Sequence, residues 1–307
     1  MRFLRYIYRH ELVVGITLFL FAVSLLIPFS GSFNWLTIQP IWISWLGVCL
    51  VVYYSYRQIH GKSYFPINSS RLRELGKFSV LGIMFCLALE FFGMYTTRLW
   101  YYPVGSLPVY LCVAPPAFSI YVVVLFIMYE AIKVKLSKHL KLGKLSSIRQ
   151  KIYDLTLPTG FILGISGLLV ATGYAINHAA TFKTKLLDFT VSYNAETAWW
   201  LPFLAAFSGF LVFEFLAYKQ GKGTLIKDLL RGDFIPLTSI VGTTILGIIL
   251  IEFVNAPFQV WVFDNWPLNN VRFLNIPLLA FLAWPLQILV FLAMFRVFLG
   301  KKGAEIW

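Results

Sequence analysis

The sequence predicts an all-α integral membrane protein with eight transmembrane helices in two related four-helix halves. Hydrophobic residues make up 59% of the 307 residues and charged residues only 13%, and the mean hydropathy is +0.76. A soluble domain of this length carries far more charge, so composition alone indicates a chain that crosses the membrane several times. The number and orientation of the helices follow from the apolar runs and the basic residues between them.

Eight apolar runs are long enough to be transmembrane helices. A spanning helix needs about 20 predominantly apolar residues. The runs cover approximately residues 11–30, 36–56, 76–96, 107–132, 153–176, 197–218, 235–256 and 277–299. An even number of spans returns the C terminus to the side of the N terminus.

The basic residues orient these helices. The chain has 26 Lys and Arg residues. Apart from Arg296 near a helix end, the loops opposite the N terminus contain only Arg98, Lys183, Lys185 and Arg272. Basic loops face the cytoplasm, so both termini are expected there, in a multi-pass protein of the cell (inner) membrane. The net charge of +13 therefore reflects topology, and no nucleic-acid partner is predicted.

The longest basic linker, Lys133 to Lys151, divides the chain at its middle. The predicted parts are a first helical half over 1–134, a basic cytoplasmic linker over 135–151 and a second helical half over 152–307. Each half contains an even number of spans, so the two have the same orientation. Any symmetry axis relating them would run along the membrane normal.

Two similar stretches, one in each half, are the best functional clue. In each, a Glu lies inside an apolar helix, an aromatic-rich triplet follows about ten residues later, and a proline opens the next apolar run. The first stretch comprises Glu90, Trp100-Tyr101-Tyr102 and Pro115, and the second comprises Glu252, Trp261-Val262-Phe263 and Pro277.

Glu90 and Glu252 are the candidate catalytic residues. An ionised carboxylate at their depth costs about 3 kcal/mol or more, so each is expected to face the bundle, find a donor or stay protonated. A protonated Glu in an apolar cavity is a good general acid. In the alternative, each Glu only bridges helices through hydrogen bonds, for example to Asn255 or Tyr95.

The sequence lacks the residue patterns of metal, haem, hydrolase and nucleotide-binding sites. The four histidines, His10, His60, His139 and His178, lie in or near loops, so no helix offers haem ligands or a di-iron cluster. The chain has no HExxH, GxSxG or P-loop pattern. We therefore expect no metal and no other cofactor.

The paired stretches resemble the small carotenoid-modifying membrane proteins, namely the heterodimer-type lycopene cyclases and the bacterial carotenoid hydratases. The resemblance covers roughly residues 89–118 and 251–281. It implies a helical protein that uses no metal or redox cofactor and protonates a polyene end group with a carboxylic acid. The Pro-x-Glu-Glu motif of the cyclases is absent, because apolar residues follow both Pro115-Pro116 and Pro277-Leu278.

Carried over residue by residue, the resemblance makes Glu90 and Glu252 the acids. The wall that stabilises a carbocation would comprise Trp100, Tyr101, Tyr102, Trp261 and Phe263. Asn255, one helical turn after Glu252, is a further candidate ligand-binding residue.

The leading hypothesis is therefore a protein that binds a long apolar isoprenoid or carotenoid-like lipid between its two halves. Proton transfer from Glu would isomerise, cyclise or hydrate that lipid. The first alternative is a non-catalytic carrier of a lipid or polyprenyl conjugate. The second is an accessory subunit with protein partners in the membrane.

Overall fold

The computed structural model is helical at each of the eight predicted positions. It describes residues 10–29, 40–61, 69–103, 107–137, 145–181, 198–273 and 275–299. The eight long helices are α1 (Glu11–Leu26), α2 (Pro40–His60), α3 (Ser69–Glu90), α4 (Leu107–Ser137), α5 (Ser147–Thr181), α6 (Trp200–Lys219), α8 (Ile235–Phe258) and α9 (Leu278–Leu299). The short helix α7 (Leu225–Arg231) lies between α6 and α8.

Six of these helices are long and apolar enough to cross a membrane, within the residues that the structure describes. The six are α3, α4, α5, α6, α8 and α9, of which α3 counts together with the helical turn after it. The apolar helix α1 is shorter, with 16 residues. The chain is thus an all-α, multi-pass membrane protein, while eight spans and cytoplasmic termini stay predictions. Residues 1–9, 138–144 and 300–307, which include both termini and the centre of the basic linker, lie outside the described residues.

The main contacts among the eight long helices form a pattern that is unchanged when the first four helices are exchanged with the last four. Helix α1 packs on α2 as α5 packs on α6, and α2 packs on α4 as α6 packs on α9. Within the centre, α3 packs on α4 as α8 packs on α9. Contacts between the halves follow the same rule, because α4 packs on α8 and α9 packs on α3. The domain boundaries themselves stay a prediction.

Four short strands join the helix ends at the side predicted to face outward. Strands β1 (Trp100–Tyr101) and β2 (Val262–Phe263) pair antiparallel, with Trp100 opposite Phe263 and Tyr101 opposite Val262. Strands β3 (Arg272–Phe273) and β4 (Ile276–Pro277) form a second antiparallel pair. The first pair joins the two similar stretches, one from each half of the chain.

The prolines of the two stretches occupy different places. Pro277 ends β4 directly before α9, as expected for a residue that opens a helix. Pro115 and Pro116 lie inside α4, which begins eight residues before Pro115 at Leu107. The expectation that a proline opens the helix is therefore right for the second stretch and wrong for the first. A proline inside a helix lacks the N–H that the i→i−4 bond needs, so α4 loses backbone bonds there.

The helices α1 and α2 contact each other through their backbones. A Cβ atom on Gly47 would lie 2.7 Å from the carbonyl oxygen of Gly15, and a Cβ on Gly15 would lie 2.8 Å from that of Gly47. The same helix pair is joined by an ion pair between Arg57 and Glu11, at 2.9 Å. Side chains at these glycines would force the helices apart.

We expect Gly47→Ala to lower the thermal midpoint of the protein in detergent. The added methyl group meets backbone atoms that cannot rotate away, which costs about 1–3 kcal/mol. Gly173→Ala in α5 is the matched control, because nothing lies within 4 Å of its added Cβ. That control should gain up to about 1 kcal/mol from helix propensity. Equal midpoints for the two variants would contradict this close packing.

Candidate functional site

Glu90 is the last residue of α3 and is 5% exposed. The chain after it continues as a π-helical turn, Phe91–Tyr95. Such turns are rare and occur frequently at functional sites. The turn is followed by Arg98, whose φ of +52° lies in the left-handed region that non-glycine residues seldom adopt. The π-helical turn and Arg98 together reverse the chain direction, so that β1 runs back alongside the end of α3.

Two side chains from the segment that returns donate hydrogen bonds to Glu90. The indole Nε1 of Trp100 donates to Oε2 at 3.1 Å, and the hydroxyl of Tyr102 donates to Oε1 at 2.6 Å. Trp100 and Tyr102 are two residues apart, so their side chains leave an extended chain on the same face. The geometry thus satisfies both carboxylate oxygens within the membrane.

Glu252, in α8, is bonded in a closely similar way. It is 1% exposed, and the indole Nε1 of Trp261 donates to its Oε1 at 3.2 Å. Its second oxygen accepts from Nδ2 of Asn255 at 2.9 Å. The carbonyl oxygen of the Asn255 side chain accepts from the backbone N–H of Trp261 at 3.0 Å, which fixes the orientation of that amide. Each half of the chain therefore places a Glu against the indole of a Trp about ten residues later.

The two carboxyl groups differ in what their partners permit. Asn255 and Trp261 present only N–H donors to Glu252, so both of its oxygens must accept, as in a carboxylate. Glu90 has one such donor, Trp100, and one hydroxyl, Tyr102, which rotates to donate or to accept. Glu90 can therefore donate its proton to the Tyr102 hydroxyl or, once ionised, accept from it, whereas neither partner of Glu252 can accept a proton from that carboxyl group.

The strand pair is held by further hydrogen bonds between the two halves. The carbonyl oxygen of Leu99 accepts from the backbone N–H of Asp264 at 2.9 Å and from the indole N–H of Trp266 at 2.8 Å. The side chain of Asn265 donates to the carbonyl oxygen of Arg98 at 3.2 Å. These bonds fix β1 and its side chains relative to the second half of the chain.

A cavity of about 230 Å³ lies beside Glu90, between helices of both halves. Ten of its lining residues are aromatic, and they include four of the predicted wall residues. Among the described lining residues, Glu90 is the one carboxyl group. The predicted site residues that line the cavity are Glu90, Trp100, Tyr102, Trp261 and Phe263.

Three predicted site residues do not line this cavity. Tyr101 alternates with its neighbours in β1, so its side chain leaves the strand on the opposite face. Glu252 and Asn255 lie behind Trp261, to which both are bonded. For Glu252 this arrangement matches the alternative in which a buried carboxylate joins structural elements, with Asn255 as the expected partner.

The structure adds lining residues that sequence reasoning missed. Trp45 of α2, Tyr121 of α4, and Trp284 and Gln287 of α9 all line the cavity. Gln287 forms a side-chain hydrogen bond with Tyr121. Apart from Arg296, Gln287 is the one side chain in α9 with an amide or charge, and that signal was available in the sequence. The aromatic residues gave no comparable signal, because aromatics occur throughout this chain.

No protein-family model, no curated protein and no solved structure matches this chain. The resemblance to carotenoid-modifying proteins therefore stays an expectation.

The hydrogen-bond partners predict that the two Glu→Gln variants differ in stability. A Gln at 90 can accept from Trp100 and donate to the Tyr102 hydroxyl, so little stability should be lost. A Gln at 252 must direct its NH2 group at another N–H donor, which costs about 1–3 kcal/mol. Thermal midpoints of the two variants, measured in the same detergent, should show Glu252→Gln clearly lower. The reverse order would contradict the assigned partners.

Gly93, in the π-helical turn, provides the space for Trp100. A Cβ atom at this position would overlap the six-membered ring of that indole. We expect Gly93→Ala to displace Trp100, break its bond to Glu90 and destabilise the fold by about 1–3 kcal/mol. The matched control is Gly76→Ala in α3, where nothing lies within 4 Å of the added Cβ. Thermal midpoints are the measurement, and an unaffected Gly93→Ala variant would contradict this packing.

Proposed function

We propose that the cavity binds a long apolar isoprenoid or carotenoid-like lipid and that Glu90 donates a proton to one of its double bonds. The observation that carries the proposal is an aromatic-lined, largely apolar cavity at which Glu90 is the one carboxyl group among the described lining residues. An apolar surface with few polar groups suits a hydrocarbon ligand with one reactive position.

The proposed reaction begins with Glu90 in its protonated form. The Glu90 O–H bond breaks, the proton adds to one carbon of a C=C bond, and the neighbouring carbon becomes a carbocation. Loss of another proton would isomerise the lipid, attack by a second double bond would cyclise it, and attack by water would hydrate it. A proton returns to Glu90 in each case, from the carbocation in isomerisation and cyclisation and from the added water in hydration, so the acid is regenerated and no oxidant or reductant is consumed.

The hydrogen bonds at Glu90 support the acid role. When the proton leaves, Trp100 already donates to the resulting carboxylate, and the Tyr102 hydroxyl needs only to rotate about its C–O bond to donate as well. Donors that are oriented before the reaction stabilise developing charge without reorganising. The faces of aromatic rings attract a cation by roughly 1–2 kcal/mol each when water is excluded. The wall that includes Trp261 and Phe263 would supply this attraction.

Glu252 has a different role in this proposal. Because it does not line the cavity and its partner Trp261 does, it serves to hold Trp261 in the cavity wall rather than to donate a proton. Asn255 shares that task through its bond to the backbone of Trp261.

The experiment compares lipids extracted from the wild-type protein and from Glu90→Gln after expression in the same host. Chromatography with mass spectrometry and absorption spectra would identify them. We expect wild type to contain a product, and Glu90→Gln to contain the unreacted lipid. The two would differ by one water for hydration, or have equal mass and different retention for isomerisation or cyclisation. Turnover should fall by about 100-fold or more, as expected for removal of a general acid.

Tyr102→Phe is the companion variant, because it removes one donor and leaves the carboxyl group. It should reduce turnover less than Glu90→Gln and should retain the lipid. Full turnover in Glu90→Gln would refute the acid role. An identical, unmodified lipid in wild type and variant would favour the carrier, and co-purifying proteins without a stoichiometric lipid would favour the accessory subunit.

A further inference from the structure

A second cavity, of about 370 Å³, lies at the opposite end of the helices. Arg296 lines it, 18 residues along α9 from Leu278, which corresponds to about 27 Å along the helix. Helices α5, α6, α7 and α9 and the turn before α7 all contribute lining residues. Four of these residues are cationic, namely Lys222, Lys227, Arg231 and Arg296.

The turn before α7 fixes two of these cations. The ammonium group of Lys222 donates to the backbone carbonyl oxygens of Arg296, at 3.0 Å, and of Val297. Arg296 is 1% exposed, and a Cβ atom on Gly223 would lie 3.3 Å from its Nη1. The absence of a side chain at 223 therefore lets the guanidinium lie against the backbone of the turn. Contacts with the backbone therefore hold both cations in place, unlike those of a freely moving surface side chain.

Helix α7 presents the other two cations. Thr224 caps its start by accepting from the backbone N–H of Lys227 at 3.2 Å, and the Thr224 hydroxyl is itself bonded to Tyr153 of α5 at 2.9 Å. The buried carboxylate of Glu214 accepts from the backbone N–H of Ile226 at 3.0 Å. Lys227 and Arg231 are four residues apart and so lie on the same face of the helix.

Two carboxylates also line this cavity, and both have partners. Asp154 accepts from Gln150 at 2.9 Å and from the Tyr218 hydroxyl at 3.3 Å. Asp228 lies 3.9 Å from Arg231, and burial raises the pKa of this carboxyl to about 6. The lining residues thus comprise four cations and two carboxylates, and the carboxyl groups of Glu214 and Glu130, which do not line the cavity, also act on Arg296. Burial, together with the charge of Arg296, also lowers the pKa of Lys222, so an anion placed here would relieve the mutual repulsion of the cations.

We propose that this cavity binds a phosphate group. Guanidinium and ammonium groups around one concave site offer several charged donors to the oxygens of a tetrahedral anion. The site lies at helix ends, and basic pockets between transmembrane helices at that level bind acidic lipid headgroups. A phosphomonoester on a lipid and free phosphate share this chemistry. The proposal is independent of the lipid reaction at Glu90, because the two cavities lie at opposite ends of the bundle.

The experiment uses the full chain in nanodiscs of phosphatidylcholine mixed with phosphatidic acid. Native mass spectrometry measures which lipid stays bound, and equilibrium dialysis with labelled inorganic phosphate measures the free anion. The test variant is Lys227→Gln with Arg231→Gln. The control is Lys135→Gln with Lys151→Gln, which removes two exposed charges that do not line the cavity.

Wild type and control should retain phosphatidic acid over phosphatidylcholine, and the test variant should bind it about tenfold or more weakly. Phosphate binding with the same dependence on Lys227 and Arg231, without lipid preference, would identify the free anion as the ligand. Equal losses in the test and control variants would indicate attraction to a basic surface and would overturn the proposal. A wild-type protein that binds neither phosphatidic acid nor inorganic phosphate would also overturn the proposal.

Thermal midpoints separate loss of binding from loss of folding. If the double variant unfolds, Lys227→Gln alone is used, because its ammonium group makes no ion pair with the described residues and its removal leaves Lys222 and Arg296 in place. Unchanged binding in that variant would also count against the proposal.

Discussion

The hydrogen bond between a buried carboxylate and a tryptophan indole, made once in each half, is the constraint on which the end of the molecule that holds β1 and β2 depends. A carboxylate within a membrane that lacks hydrogen-bond donors destabilises the protein by several kcal/mol. Trp100 and Trp261 supply them only if the chain reverses after α3 and after α8. Those reversals bring β1 and β2 into register with each other. The strand pair, the cavity wall and the contact between the halves therefore all follow from the need to satisfy two carboxylates.

Glu90 and Glu252 occupy similar positions, but their second hydrogen-bond partners differ in chemistry. In the first half the second donor is a hydroxyl, from Tyr102, and in the second half it is an amide, from Asn255. A hydroxyl can exchange the roles of donor and acceptor, whereas an amide N–H cannot. The two carboxyl groups thus share a Trp partner, and one side-chain difference gives Glu90 a partner that can accept a proton, which Glu252 lacks.

The helices could be predicted from the sequence because a membrane imposes a length and a composition on them. Glu90, Glu252 and their tryptophans could be predicted because charge is rare in such helices and its repetition stands out. Two features could not be predicted. The π-helical turn after Glu90 depends on the close contact between Gly93 and Trp100, which is tertiary. The basic cavity depends on α7 bringing residues of four helices together, whereas in the sequence its cations resemble ordinary loop residues.

The alternation of side chains along β1 limits which residues of the aromatic triplet can face the cavity. Trp100 and Tyr102 belong to one face of an extended chain and Tyr101 to the other, so an aromatic triplet can contribute only two side chains to a cavity. In the second stretch the same rule selects Trp261 and Phe263 and leaves Val262 on the opposite face. The residue between the two aromatics is free to vary in chemistry, and it does vary, from Tyr to Val. The two positions that keep aromatic side chains in both stretches are the two that face the cavity, so the likeness of the two stretches lies in the cavity wall and not in the strand.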